Sequence, residues 1–225
     1  MVEAAITRGV GPVHNEVAGS STLTLTLTGT TIGRMIVIVL GNNIDPGNGT
    51  ITSVNISGEA DATRITAANM TANNDTFSVW YLANNTTGGD KTITLNFNAN
   101  AFGAAIAIEY QGQETTGQPD ATATSVTGIT GDPTISITTA TAGDLIVTAC
   151  DSTGGKPTMP SGYSDLVLSN PGYYGNASDN VAVGVAGSKT LIWTNVTNTS
   201  WGVNAVAFKA AITAGAGGVR HRVVQ

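Results

Sequence analysis

Residues Thr22-Leu23-Thr24-Leu25-Thr26-Leu27-Thr28 alternate without a break between a hydroxyl and a leucine. A period of two puts three leucines on one face of an extended strand and four threonines on the other, whereas a helix would scatter both around its axis. β-branched threonine also favours the extended backbone. The fold must therefore offer a sheet with one apolar and one hydroxylated side. After the turn at Gly29 to Gly33 comes Met35-Ile36-Val37-Ile38-Val39-Leu40, apolar throughout, as expected of a strand covered on both faces. Residues 42–49, with Asp45-Pro46-Gly47, read as a loop. Further strands are expected near 50–57, 64–70, 76–83, 91–98 and 104–111, between clusters of Asn, Asp and Gly.

The plan then returns. Gly33-Arg34-Met35-Ile36-Val37 matches Gly143-Asp144-Leu145-Ile146-Val147 at an offset of 110, and each follows an alternating threonine-rich strand, the second being Thr134-Ile135-Ser136-Ile137-Thr138. At an offset of 98, Gly89-Asp90-Lys91-Thr92-Ile93 matches Gly187-Ser188-Lys189-Thr190-Leu191, Ala107-Ile108 matches Ala205-Val206, and Tyr110 matches Phe208. Three landmarks in the same order argue for an internal duplication, with a longer middle section in the first copy. The expected fold is all-β: two tandem, related, jelly-roll-like antiparallel β-sandwiches with extended terminal arms. The boundaries are an N-terminal arm at 1–19, a first sandwich at 20–112, a linker at 113–120, a second sandwich at 121–210 and a Gly/Ala spacer with a basic-apolar tail at 211–225. A single large sandwich shared by both halves is the alternative.

Charged residues make up 11% of the chain against 41% hydrophobic, so disorder driven by charge is excluded. The formal charge is −6, and the nine Lys and Arg are scattered except for Arg220 and Arg222, which argues against nucleic acid as a partner. The longest apolar run is too short to cross a bilayer, and no basic start followed by an apolar stretch opens the chain, so neither a membrane anchor nor a secretory leader is expected. The several Asn-x-Thr/Ser triplets then read as chance in an Asn- and Thr-rich chain. Cys150, the one cysteine, follows an apolar run and reads as a buried inert thiol.

The chemistry expected of an enzyme is sparse. The two histidines, His14 and His221, fall in the terminal arms, which leaves a serine triad and a histidine-based zinc site without their central residue. Paired carboxylates of the glycosidase kind would come from Asp45, Glu59, Asp61 and Asp75 in the first half, with Asp151, Asp165 and Asp179 in the second; solubilising turn residues are the favoured reading. Asp45, Asn48 and Asp151 offer hard oxygens for calcium, but without the spacing of a known loop. Gly154-Gly155-Lys156-Pro157-Thr158 lacks the upstream glycine of a phosphate loop, and a proline stands where its helix would begin. The expectation is a non-enzymatic chain with no cofactor and no metal.

Two groups of residues read as contact surfaces. Tyr163, Tyr173 and Tyr174 lie in a Pro- and Gly-rich region, where exposed rings could stack on a surface glycan or simply pack. Trp80, Trp193 and Trp201 sit in or beside strands and read as packing residues. At the end of the chain, Val219, Arg220, His221, Arg222, Val223 and Val224 form an alternating basic and apolar peptide after a flexible spacer, suited to adding as a strand to a neighbouring subunit.

The threonine-rich strand followed by Gly33-Arg34-Met35-Ile36-Val37-Ile38-Val39, then Phe77-Ser78-Val79-Trp80-Tyr81-Leu82, Lys91-Thr92-Ile93-Thr94-Leu95 and a closing Ala105-Ile106-Ala107-Ile108-Glu109-Tyr110, resembles the jelly-roll β-sandwich structural proteins of tailed-phage virions. The resemblance spans residues 20–210 and rests on general motifs. It implies a structural role at the virion surface as a capsid decoration, cement or fibre component, with copies of itself and a capsid or tail lattice as partners, and it carries no catalytic residues. A carbohydrate-binding adhesin module and a subunit of an extracellular bacterial filament are the alternatives.

Overall fold

The structure, a computed structural model, describes residues 2–3, 5–66, 70–72, 74–122, 125–166, 175–181, 184–194 and 199–213. The first half contributes β1 (Val2–Glu3), β2 (Thr7–Arg8), β3 (Val13–Thr30), β4 (Met35–Asn43), β5 (Ile51–Ile56), β6 (Thr63–Arg64), β7 (Met70–Ala72), β8 (Asp75–Leu82) and β9 (Gly89–Gln111). The second contributes β10 (Ala121–Thr122), β11 (Val126–Gly128), β12 (Thr134–Thr139), β13 (Leu145–Ser152), β14 (Ser164–Asp165), β15 (Asn176–Asn180), β16 (Gly187–Ile192), β17 (Trp201–Phe208) and β18 (Ile212–Thr213). The protein is all-β, and its strands pair antiparallel.

The strands stack in four layers. β3 and β9 are long enough to belong to two layers each: their halves nearest residues 22–30 and 89–97 pair with each other and with β5 in an outer layer, and their other halves join β4, β8, β6 and β2 in an inner sheet. The corner in β3 is a bulge at Gly19, where the register slips between Ala18 and Ser20 and φ is +77°. Glycine alone takes that backbone without strain. In the second half the inner sheet is β10-β17-β13-β15-β14, and the outer layer is the β12–β16 pair.

Alternation decides which layer each side chain enters. On β4, Ile36, Ile38 and Leu40 join Leu23, Leu25 and Leu27 in a core inside the first half. Met35, Val37 and Val39 point the opposite way, into a core shared with Leu145, Val147 and Ala149 of β13 and Val206 and Phe208 of β17. Ile146, Cys150, Val203 and Ala205 face the outer pair, where Ile135, Ile137, Leu191 and Trp193 close the third core. Cys150 is buried, as expected of an inert thiol, and burial pushes its ionisation well up. The two halves are thus joined face to face by a continuous apolar layer, and the apolar run at 35–40 and its counterpart at 145–150, broken only by the buried Thr148, are strands between two cores.

Strand pairing repeats at the offsets seen in the sequence. Met35 faces Tyr110 and Leu25 faces Ile93 in the first half; their equivalents Leu145 and Phe208, and Ile135 and Leu191, face each other in the second. Likewise Val37 pairs with Tyr81 and Val147 with Asp179. The contact between halves is reciprocal. Tyr81 of the first half packs edge-on against Phe208 of the second, with ring centroids 5.7 Å apart, while their equivalents Asp179 and Tyr110 meet through a hydrogen bond of 2.7 Å. The chain ends of β9 and β17 also pair across the joint, Gln113 opposite Ala210, with the amide of Ala211 donating to the carbonyl of Gly112. A patch that meets its own equivalent in this way is the arrangement of a twofold homodimer, here within one chain.

Three expected boundaries move. Residues 5–19 are no free arm: Ile6 is fully buried, and β2 and the first part of β3 pair with β9. Their equivalents in the second half are β10 and β11, which pair with β17 in the same way. Strong propensity was absent here because these residues complete a sheet whose core is built elsewhere. Segments 91–98 and 104–111 are one strand that runs on through Ala99-Asn100-Ala101-Phe102-Gly103, where Ala101, Phe102 and Gly103 pair with β3. Residues 212–213, placed in the spacer, instead form a strand pair with Val2–Glu3. The 113–120 joint is packed as well: Tyr81 donates its hydroxyl hydrogen to the carbonyl of Gln118 at 2.9 Å, and the Gln118 amide donates to the carbonyls of Glu114 and Lys209.

Residues 1–112 expressed alone would expose the face carrying Met35, Val37, Val39, Phe77, Val79, Ile106 and Ile108. They are expected to run as a dimer or an aggregate in size-exclusion chromatography. A soluble monomer that melts cooperatively would contradict the shared core.

Candidate functional site

Polar groups enter the shared layer at two places. The first is built on Asp179 of β15, whose side chain alternation turns toward the other half. It is 1% exposed, and it accepts hydrogen bonds from the Tyr110 hydroxyl at 2.7 Å and from Arg8 Nε at 2.8 Å, with Arg8 Nη2 closing a two-pronged ion pair. A carboxylate removed from water needs such a fork and a further donor to offset its lost hydration. Burial, and then the adjacent Asp179, hold the Tyr110 phenol well above its ordinary range. The hydrogen bonds to Asp179 likewise favour the charged form of Arg8.

The second place is the mouth of the seam, where Asp75 begins β8 and Asp151 nears the end of β13. Both carry the parity that points into the shared layer. Loss of water, then the negative charges of Asp151 and Asp45, push the Asp75 carboxyl up to about 7, against a hydrogen bond from the Asn43 amide at 3.2 Å. Beside this mouth lies a groove of about 430 Å³, lined by Thr71 and Ala72 of the first half and by Thr127, Gly128, Ile129, Ser200 and Trp201 of the second. Gly128 is required there, because a Cβ would run into the indole of Trp201. The indole donates its N–H to the Thr130 carbonyl at 3.0 Å, and only 8% of Trp201 is exposed.

Two further ion pairs, each with a buried carboxylate, are structural staples of the first half. Glu109, facing away from the shared layer, takes Arg34 Nη1 at 2.8 Å and the amides of Thr31 and Val10, and so ties the N-terminal segment to the sheet. Lys91 and Glu59 meet at 2.7 Å with both side chains almost wholly buried. Burial opposes the Glu59 charge, but Lys91 and the hydroxyls and amides of Thr86 and Thr87 hold its carboxyl well below the usual range.

The expected carboxylates therefore scatter. Asp45 accepts from the Asn74 amide, Asp61 from Asn55, and Asp165 pairs with Lys156 at the surface. Asn48 donates to Asn43. Of these, Asp75 lies near enough to Asp151 to feel its charge; elsewhere the buried Asp144 shares a hydrogen bond with Asp120, and loss of water together with that neighbour pushes its carboxyl up to about 7, while among the described residues no three His, Cys, Asp or Glu side chains come close enough to hold a metal ion. Tyr163 is half-buried against the third core, which raises its phenol through desolvation. Trp80, Trp193 and Trp201 are packing residues, as expected. His14 is exposed on β3. Tyr173, Tyr174 and Val219, Arg220, His221, Arg222, Val223 and Val224 lie outside the described residues.

Arg8, Tyr110 and Glu109 escaped the sequence reading. A lone carboxylate inside the apolar run 104–110 was the available signal for Glu109. Arg8 offered none, since its partner lies far away in the other half. The chain is matched by no family model, by no curated protein and by no solved structure.

As chemistry, the mouth of the seam offers one carboxyl titrating near neutrality beside a second, and a groove of hydroxyls and aliphatic carbon suited to neutral contacts. The folded pKa of Asp75 is raised, so its contribution to stability is fully present below about 4 and is lost as pH rises to about 7. Asp75→Asn, which keeps an acceptor for Asn43, should raise the melting temperature at pH 8 and leave it nearly unchanged at pH 4. Equal shifts at both pH values would remove the seam from the account. Arg8→Ala, leaving Asp179 buried without its cation, should cost about 3 kcal/mol in denaturant unfolding.

Proposed function

We propose that this chain is a non-enzymatic structural protein of a virion surface, a capsid decoration or cement protein that assembles with copies of itself on a capsid or tail lattice. The observation that supports this reading is the surface at the two ends of the stack. One outer face presents Thr22, Thr24, Thr26, Thr28, Thr92 and Asn55; the other presents Thr134, Ser136, Thr138, Ser188 and Thr190. Short hydroxyl and amide side chains lose little rotamer freedom on contact, and no charge has to be stripped of water when they are covered. Several charges are paired inside instead, among them Asp179, Glu109, Glu59 and Lys91. A rigid stack with neutral, hydrogen-bonding ends suits contact with a lattice, and the resemblance to virion sandwich proteins supplies the class.

Mass spectrometry of purified particles from the source should find the chain in stoichiometric amounts. Removing residues 214–225 should leave the melting temperature unchanged and abolish incorporation. Particles without the protein would sink the reading, and unchanged incorporation of the shortened chain would remove the tail from it.

A further inference from the structure

The two halves differ at one edge. In the first half β5 covers the outer edge of β9: Asn55 faces Thr94, Ile56 faces Ile93, and the Ser57 amide donates to the Thr92 carbonyl at 2.9 Å. Val54 and Ile56 bury their side chains in the core of that half. Three residues beyond Ile56, Glu59 closes on Lys91.

The second half keeps only the start of that strand. Thr158 pairs with Thr194, donating and accepting at 2.9 and 3.0 Å, and Met159 packs on the third core. Pro160 then has no N–H to offer, and the chain turns, with the Tyr163 amide donating to the Pro160 carbonyl. The Trp193 amide points to Pro133 on the β12 side, so by alternation the amides of Ser188, Thr190 and Ile192 point to the other edge. Among the described residues no strand pairs there. Among the described residues Lys189, the equivalent of Lys91, donates to the Val185 carbonyl at 2.8 Å, where Lys91 has a buried carboxylate. Ile192 and Val185 beside it are 52% and 76% exposed.

We infer that this edge of β16 is a docking slot for an extended acidic segment of another protein in the assembly, which adds as an antiparallel strand as β5 does in the first half. The occupant carries aliphatic residues at alternate positions and a carboxylate about three residues beyond the last of them, set to meet Lys189. Unpaired edge groups attract strands, and the lone lysine repels a second β16 and the Arg220 and Arg222 of another copy's tail alike. That the partner is an assembly component rests on the structural role proposed above; the slot itself rests on the fold.

The probe is a peptide copying residues 50–61 of the chain, Thr-Ile-Thr-Ser-Val-Asn-Ile-Ser-Gly-Glu-Ala-Asp, added to the intact protein and followed by residue-resolved amide exchange. Without peptide, the Thr190 and Ile192 amides should exchange on the order of 100-fold faster than those of Thr92 and Thr94. Peptide should slow Thr190 and Ile192. The peptide carrying Glu59→Lys should bind about tenfold more weakly, and the protein variant Lys189→Glu, checked by its melting temperature, should reverse that preference. Protection of Thr190 and Ile192 before peptide is added would mean that the chain or a second copy already fills the edge, and would overturn the inference. So would exchange unchanged by peptide, or binding indifferent to the charge swap. Failure here with the protein present in particles removes the slot and keeps the structural role; binding without any protein in particles does the reverse.

Discussion

The apolar layer between the halves is what every other feature answers to. Sheets covered on one side only would leave Met35, Val37, Val39, Ile106 and Ile108 in water, and their equivalents Leu145, Val147 and Val206 with them. Burial of such side chains stabilises by roughly 1.5–3 kcal/mol each, so joining the two faces is worth more than any polar contact in the molecule. Once they are joined, each inner sheet is wet on neither side, and its polar residues must find partners inside the protein. That is why Asp179, Tyr110 and Arg8 form a closed set, and why Asp75 resists ionisation where its set is incomplete.

The reciprocity of this layer gives the duplication a physical meaning. Equivalent residues meet across it, as Tyr81 with Phe208 and Asp179 with Tyr110. The two equivalent sites nevertheless differ, one being an aromatic pair and the other an ion-paired hydroxyl. The edges differ as well. The first half kept a full covering strand and a buried Lys91–Glu59 pair; the second retains the lysine and a single bridge at Thr158.

Much of the architecture was legible in the chain. Thr-Leu alternation at 22–28 and the β-branched run at 35–40 named both the element and its surroundings, because a period of two maps directly onto the two faces of a sheet. The repeat was legible for the same reason: equivalent residues lie in equivalent strands, at an offset of 110 in the early strands and 98 in the later ones. The N-terminal segment was misjudged because Thr7, Arg8 and Val13 to Ala18 carry little periodicity of their own; they are held by hydrogen bonds to β9 and by Glu109, which lies about a hundred residues away. The candidate site was scarcely legible. Seven carboxylates looked alike in sequence, and only packing set Asp179 against Arg8 and Asp75 against Asp151.

The amino-acid sequence by itself determined that this protein is built of strands, which face of each strand is apolar, and that the pattern occurs twice, since these follow from local backbone geometry and side-chain period. Tertiary structure alone decided that the two halves share one core, which charges are paired out of water, and which strand edge has no partner strand among the described residues. Those outcomes depend on contacts between residues remote in the chain, and no local preference encodes them.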